Sequence, residues 1–397
     1  MQTSFKPHTL FPIALVIYEM LAYLTNDMYL PALPQISHDL MINQHMAQLT
    51  LTAWFFGFAS SSIILGPLSD RWGRRPILFI YGFIFLLATA VCALTSNIVI
   101  FLIARFFQGS VVCSITTAGY SSIHESYNTM DAIKILALMG SIVILGPAFG
   151  PLVGSTVLQI SDWRWIFGVL FFSGLITLLV LWLIMPESNP VEHRKPLALN
   201  VIGKDYLAII RNSQFMLNIL VFCFAYLGMI AWVVLGPFLV INEFHYNASI
   251  FSLLQAIVFS AMIVAAQIIK YFSEKLGVNR LVTWGLLISL SASFIAIIFT
   301  LLFPRNILAL VIPLSGFILG SSLAFFPLQR VAIEACSEPM GARMAMLGTI
   351  MSLFGVVGSL VLSHLYNNTL IWFAGLMVLL SLATIFCYGL SQRLKSS

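Results

Sequence analysis

Residues 11–30 read FPIALVIYEMLAYLTNDMYL, and the rest of the chain is read outward from them. The stretch is long and apolar enough to cross a bilayer as a helix, yet it carries two acids, Glu19 and Asp27. A carboxylate at that depth costs at least a few kcal/mol, so an acid inside a span marks a functional site by default. Eight residues of helix turn about 80° and rise about 12 Å. Glu19 and Asp27 therefore share one broad face, and Tyr23 and Asn26 fall on the same stripe. Such a stripe calls for a wet cavity or polar partners. The alternative is that both acids sit in fixed ion pairs that only hold helices together.

Composition points the same way. Of the 397 residues, 60% are hydrophobic and 8% charged, which excludes an ordinary soluble domain. The net charge of +5 does not imply nucleic acid, because the basic residues form no single patch. The five cysteines are scattered and form no CxxC or Cys/His cluster, so neither disulfide nor metal is inferred. The first apolar stretch has no small-residue cleavage site after it and reads as a retained helix, not a signal peptide.

Twelve spans are expected, near residues 11–30, 49–68, 77–95, 98–122, 134–157, 164–185, 214–241, 250–271, 281–302, 307–329, 342–364 and 369–390. Long connections follow only the first span (31–48) and the sixth (186–212). This gives an all-α membrane protein of two six-helix bundles, 1–190 and 213–397, joined by a linker over 191–212. Sixteen of the nineteen Lys and Arg residues fall on one side of this arrangement. Only Arg164 and Arg305 fall on the other, and Arg105 lies inside a span. The positive-inside rule then puts both termini and the linker in the cytoplasm. Ser69-Asp70-Arg71-Trp72-Gly73 and Ser273-Glu274-Lys275-Leu276-Gly277 occupy matching places in the two halves, a weak internal repeat of the kind transporters use.

Further signals lie between the spans and inside them. Gly66–Pro76, GPLSDRWGRRP, forces a tight turn. Asp70 can face a helix N-terminus, while Arg71, Arg74 and Arg75 can pair with acids on neighbouring helices and so close a gate. Glu125, at the same membrane end, is the expected partner of that basic loop; the alternative is a plain solvated charge at the helix end. Arg105 cannot shed its proton and needs a buried partner; its depth matches that of Asp27, which places the two together. Gly146-Pro147-Ala148-Phe149-Gly150-Pro151 gives the fifth span two kink sites and small faces for close packing. Trp232, Gln255 and Phe354 are candidate cavity residues in the second half, where no acid lies deep in a span; for the aromatic ones plain packing is the commoner role.

The loop GxLxDRxGRRP, the fourth-span run Arg105-Phe-Phe-Gln108-Gly109 and the fifth-span GPxxG run together resemble the major facilitator superfamily, in its drug–proton antiporter group. Asn26–Pro34 resembles the Bcr/CflA drug-resistance proteins. Tyr18-Glu19, Asn26-Asp27, Arg105 and His124-Glu125-Ser126 are similar to the MdfA-type multidrug transporters. Here Pro151 stands where the antiporter motif usually has a second glycine. The resemblance implies that Glu19 and Asp27 respond to protons and substrate, with Arg105 the partner of Asp27. Tyr23, Asn26, Gln108 and Met139 would help line the drug cavity.

The function expected is export of lipophilic cationic or neutral compounds against entering protons, by alternating access. The carrier would act as a monomer in a bacterial inner membrane, with no cofactor. Export of one native metabolite, such as a siderophore, keeps the same fold with a different cargo. A membrane enzyme or receptor is the remaining class, and HExxH, GxSxG and P-loop motifs are all missing.

Overall fold

A computed structural model of the chain describes residues 10–194, 199–367 and 369–396. Lys6 and Lys195, which enter the charge count above, fall outside them. Every regular element among the described residues is helical. In chain order the first group is α1 (Leu10–Asp27), α2 (Leu33–Asp39), α3 (Gln44–Trp72), α4 (Arg74–Leu94), α5 (Ile98–Ser126), α6 (Thr129–Ile160) and α7 (Arg164–Ile184). The second is α8 (Leu199–Arg211), α9 (Ser213–Glu243), α10 (Ala248–Leu276), α11 (Val278–Leu302), α12 (Leu308–Glu334), α13 (Met340–Leu365) and α14 (Leu370–Ser396).

Ten of these helices are long and apolar enough to cross a membrane, and α6 makes eleven if its two arms count as one span. At 18 residues, α1 is about 27 Å long and, with its two acids, is not among these helices. The arms of α6, Thr129–Ile142 and Leu145–Ile160, meet at 51°. Pro147 lacks an N–H, and its ring crowds the carbonyl four residues earlier, inside that break. Large apolar side chains such as Phe83, Leu183 and Phe386 point outward, as a lipid-facing surface requires.

Three boundaries differ from the sequence expectation. The first helix ends at Asp27, not Leu30, because Pro31 has no N–H to bond the Asp27 carbonyl. A short 3₁₀ turn over Leu30–Ala32 follows. The connection 31–48 then holds α2, which carries Pro34 in its first turn, and the first turn of α3. The connection 186–212 holds α8, whose Ile209 packs with Phe215, Phe222 and Leu347.

The chain divides into two compact units. One contains residues up to Tyr29 and 53–198; the other contains 30–52 and 199–397. The first six-helix bundle was expected as 1–190, so residues 30–52 depart from chain order. Polar bonds explain their place in the second unit. His45 Nδ1 lies 2.9 Å from Ser363 Oγ, Thr52 Oγ1 lies 2.6 Å from Ser359 Oγ, and Gln48 Nε2 donates to the Val234 carbonyl at 3.3 Å.

In the first unit, α1 lies between α6 and α7, and α4 packs on α5 and α7. In the second, α9 packs on α12, α13 and α14. The repeated loop behaves alike in both. Gly73 and Gly277 have φ of 103° and 75°, a region that favours glycine. Each donates its N–H to the serine that opens its motif, Ser69 or Ser273, at 3.0 Å. The same five-residue pattern thus ends a long helix in the same way twice.

Candidate functional site

In the first unit, Glu19 is fully buried. Its Oε1 accepts a 2.8 Å hydrogen bond from the Tyr120 hydroxyl. Its Oε2 has no partner among the described residues, nor has the neighbouring Tyr18 hydroxyl. Tyr120 is the first residue after a π turn over Ile115–Gly119 in α5. Such a turn adds a residue to the helix and rotates the side chains beyond it, a device common at functional sites. At the membrane end of α5, burial pushes the Tyr127 phenol up to about 12; its ring stacks on Phe11 with centroids 6.4 Å apart.

Arg105 is also fully buried. Nη1 donates to the Thr25 carbonyl at 2.7 Å and to Gln108 Oε1 at 2.8 Å, and Nη2 donates to Asn26 Oδ1 at 3.3 Å. The guanidinium carbon stands 4.1 Å from the centre of the Tyr29 ring. Gln108 Nε2 donates onward to Thr89 Oγ1 at 2.9 Å. Gln108 therefore orients Arg105 from inside the bundle, and its amide is engaged at both ends.

Asp27 accepts a 3.4 Å hydrogen bond from Asn26 Nδ2 and stays within electrostatic reach of Arg105. The link between them runs through Asn26. Successive helix positions differ by 100°, so Thr25 and Asn26 meet α5 while Asp27 turns toward α6. There, a Cβ added at Gly146 would lie 2.9 Å from Asp27 Oδ2, and one at Gly150 would lie 2.5 Å from Asp27 Cβ. One at Gly154 would overlap the Met28 carbonyl. Gly146, Gly150 and Gly154 form a ladder four residues apart that lets α6 close on the acidic end of α1. Pro147 sets the bend beside that ladder, and Pro151 lies one turn beyond it. Tyr23 is half-buried near Gly146, and Met139 is fully buried on α6.

At the basic end of this unit Arg74 is 8% exposed. It pairs with Asp70 at 2.6 Å and with Glu125 at 3.0 Å, and donates to Ser69 Oγ at 3.0 Å. Ser188 Oγ donates to Glu125 Oε2 at 2.6 Å. Glu187, a residue the sequence reading did not single out, accepts from the backbone N–H groups of Arg74 and Arg75 at 3.0 and 3.3 Å. It caps α4 where the helix dipole favours an anion, and Arg194 stands 4.0 Å from it. Arg71 is exposed, and Arg75 turns away toward Trp182.

In the second unit, Gln255 and Trp232 are fully buried. Both amide atoms of Gln255 and the indole Nε1 of Trp232 lack partners among the described residues. Trp232 lies near Phe251, with ring centroids 6.4 Å apart, and Phe354 meets Phe224 edge-on at 5.6 Å.

Against known proteins, the profile described as Major Facilitator Superfamily matches residues 15–359. The chain is 32% identical to the multidrug resistance protein MdtM of Salmonella typhimurium, over 94% of this chain and 92% of that one. It is 30% identical to the multidrug transporter MdfA of Yersinia pestis, over 90% of this chain and 89% of that one. Among solved structures, a point mutant of the nucleoside transporter NupG superposes with a TM-score of 0.73 at 15% identity, covering 95% of this chain and all (100%) of that one. A D-xylose–proton symporter gives 0.71 at 15% identity, covering 94% and 97%. These relatives and fold neighbours are transporters, not enzymes.

Proposed function

The chain belongs to the Major Facilitator Superfamily, and on that premise we propose that it is a proton-coupled multidrug efflux antiporter of the cell inner membrane. It is a multi-pass membrane protein. The observation that carries the proposal is Glu19, a buried carboxyl with one oxygen on Tyr120 and the other without a partner among the described residues. A group ionised there without a compensating cation costs several kcal/mol. Loss of its proton must therefore coincide with arrival of a compensating partner: water, a cationic substrate or a rearranged helix. That coincidence is what couples a proton to cargo.

Asp27 is the second acid. Asn26 ties it to Arg105, and the glycine ladder of α6 holds it, so motion of the bent α6 would alter its surroundings directly. The Arg74 network at the basic end, with Asp70 and Glu125, is the gating element of this reading. Buried methionines and aromatic rings suit greasy substrates of varied shape. A neutral drug exchanged for one proton moves one charge, worth about 2.3 kcal/mol per 100 mV, whereas a monovalent cation exchanged for one proton moves none.

Proteoliposome flux of the lipophilic cation tetraphenylphosphonium under an imposed pH gradient tests the proposal. Counterflow that collapses when the gradient is dissipated is expected. Flux indifferent to the gradient contradicts proton coupling, and absence of flux for a broad drug panel contradicts multidrug export.

A further inference from the structure

We propose that the groove between α4 and α7 at the basic end of the first unit binds one anionic diacyl phospholipid. Its phosphate would rest on Arg75 and an acyl chain would lie along α4. The groove measures about 450 Å³ and is lined by Pro76, Phe79, Ile80, Phe83, Ile84 and Trp182. This volume is in the range of small-molecule sites.

The order of these residues gives the ligand its direction. Positions 76, 79, 80, 83 and 84 recur at helical spacing and fall on one stripe of α4. From 76 to 84 that stripe runs about 12 Å from the membrane end toward its middle. Phe83 is 68% exposed and Ile80 48%, so the stripe faces outward and a single chain could lie along it.

Arg75 stands at the mouth. Its Nη2 donates to the Trp182 carbonyl at 2.6 Å, which fixes the head of the side chain over the groove. Its guanidinium carbon lies 5.3 Å from the Trp182 ring centre and 5.7 Å from that of Phe79. The two rings themselves meet edge-on at 4.9 Å. Nη1 and Nε have no partner among the described residues, and a guanidinium offers a phosphate two parallel donors. The nearby acid does not cancel this charge. Glu187 is engaged by the N–H groups that open α4 and by Arg194. Arg71, exposed four residues earlier, adds a second positive charge at the same end. Trp182, in the last turn of α7, is of the type that sits at headgroup level.

The test uses the full chain in detergent with equal amounts of phosphatidylglycerol and phosphatidylcholine of identical acyl chains, with bound lipid counted by native mass spectrometry. One lipid is expected to be retained with about a five-fold preference for phosphatidylglycerol, the effect of a single surface charge. Arg75→Gln should abolish the preference, and Arg75→Lys should keep most of it. Glycerol phosphate, the headgroup without chains, should not displace the lipid at matched concentration. Equal retention of the two lipids by the parent protein overturns the proposal, and that comparison stands even if a variant does not fold. An undiminished preference in folded Arg75→Gln, or full displacement by glycerol phosphate, also overturns it.

Discussion

Replacing Arg105 by methionine removes a buried cation while keeping a long side chain. The acceptors that lose a donor include the Thr25 carbonyl at 2.7 Å, Gln108 Oε1 at 2.8 Å and Asn26 Oδ1 at 3.3 Å. The contact with the Tyr29 ring at 4.1 Å changes from cation–π to plain dispersion. Gln108 cannot easily turn to another donor, because Nε2 already holds Thr89. Leaving a buried acceptor without its donor costs about 1–3 kcal/mol, so a loss of about 3–5 kcal/mol is expected for the set. For a unit of this size each kcal/mol lowers the melting temperature by about 2–4 °C, so a fall of roughly 10 °C is expected. Arg105→Lys keeps the charge but loses the rigid fork, and should lose about half as much. Scanning fluorimetry of purified protein in one detergent reads the series. A methionine variant that melts within about 2 °C of the parent refutes the claim that Arg105 pins α1 to α5.

Other consequences are equally direct. Gly154→Ala drives a Cβ into the Met28 carbonyl, which belongs to backbone and cannot step aside; a loss of about 1–3 kcal/mol is expected. Gly146→Ala presses on the end of the Asp27 side chain and makes ordinary contact with Tyr23 Cβ; it should unfold less readily than Gly154→Ala while still impairing flux. Thermal melting and proteoliposome transport of both variants check the order, and equal stability of the two would contradict it. A double-mutant cycle on Arg74 and Glu125, each changed to glutamine, should give a coupling of about 1–2 kcal/mol, because Arg74 is 8% exposed. Additivity within about 0.3 kcal/mol would show that the pair is not a working contact.

The spans were legible because bilayer-length apolar runs leave little choice of element. Arg74 and Glu125 were placed at one membrane end by counting along their helices, and the structure sets them 3.0 Å apart. Depth along two helices cannot fix the angle at which Arg105 and Asp27 meet. A rotation of one residue put Asn26 between them. Tyr120 was invisible as a partner of Glu19, since a tyrosine 101 positions away looks like packing and no hydropathy pattern announces a π turn. Nothing in the sequence around Glu187 sets it apart from other acids between helices. Its value comes from the folded N-terminus of α4, which brings two N–H groups to it. Residues 31–48 read as a loop, whereas the bonds of His45 to α13 and of Gln48 to α9 belong to tertiary structure alone.

The central claim is that the acids of α1 exchange protons for cargo. The most direct measurement is proton release from purified carrier in unbuffered detergent, read with a pH dye as tetraphenylphosphonium is added. Release is expected from the parent protein and should vanish in Glu19→Gln or in Asp27→Asn. Undiminished release from both variants would contradict the account.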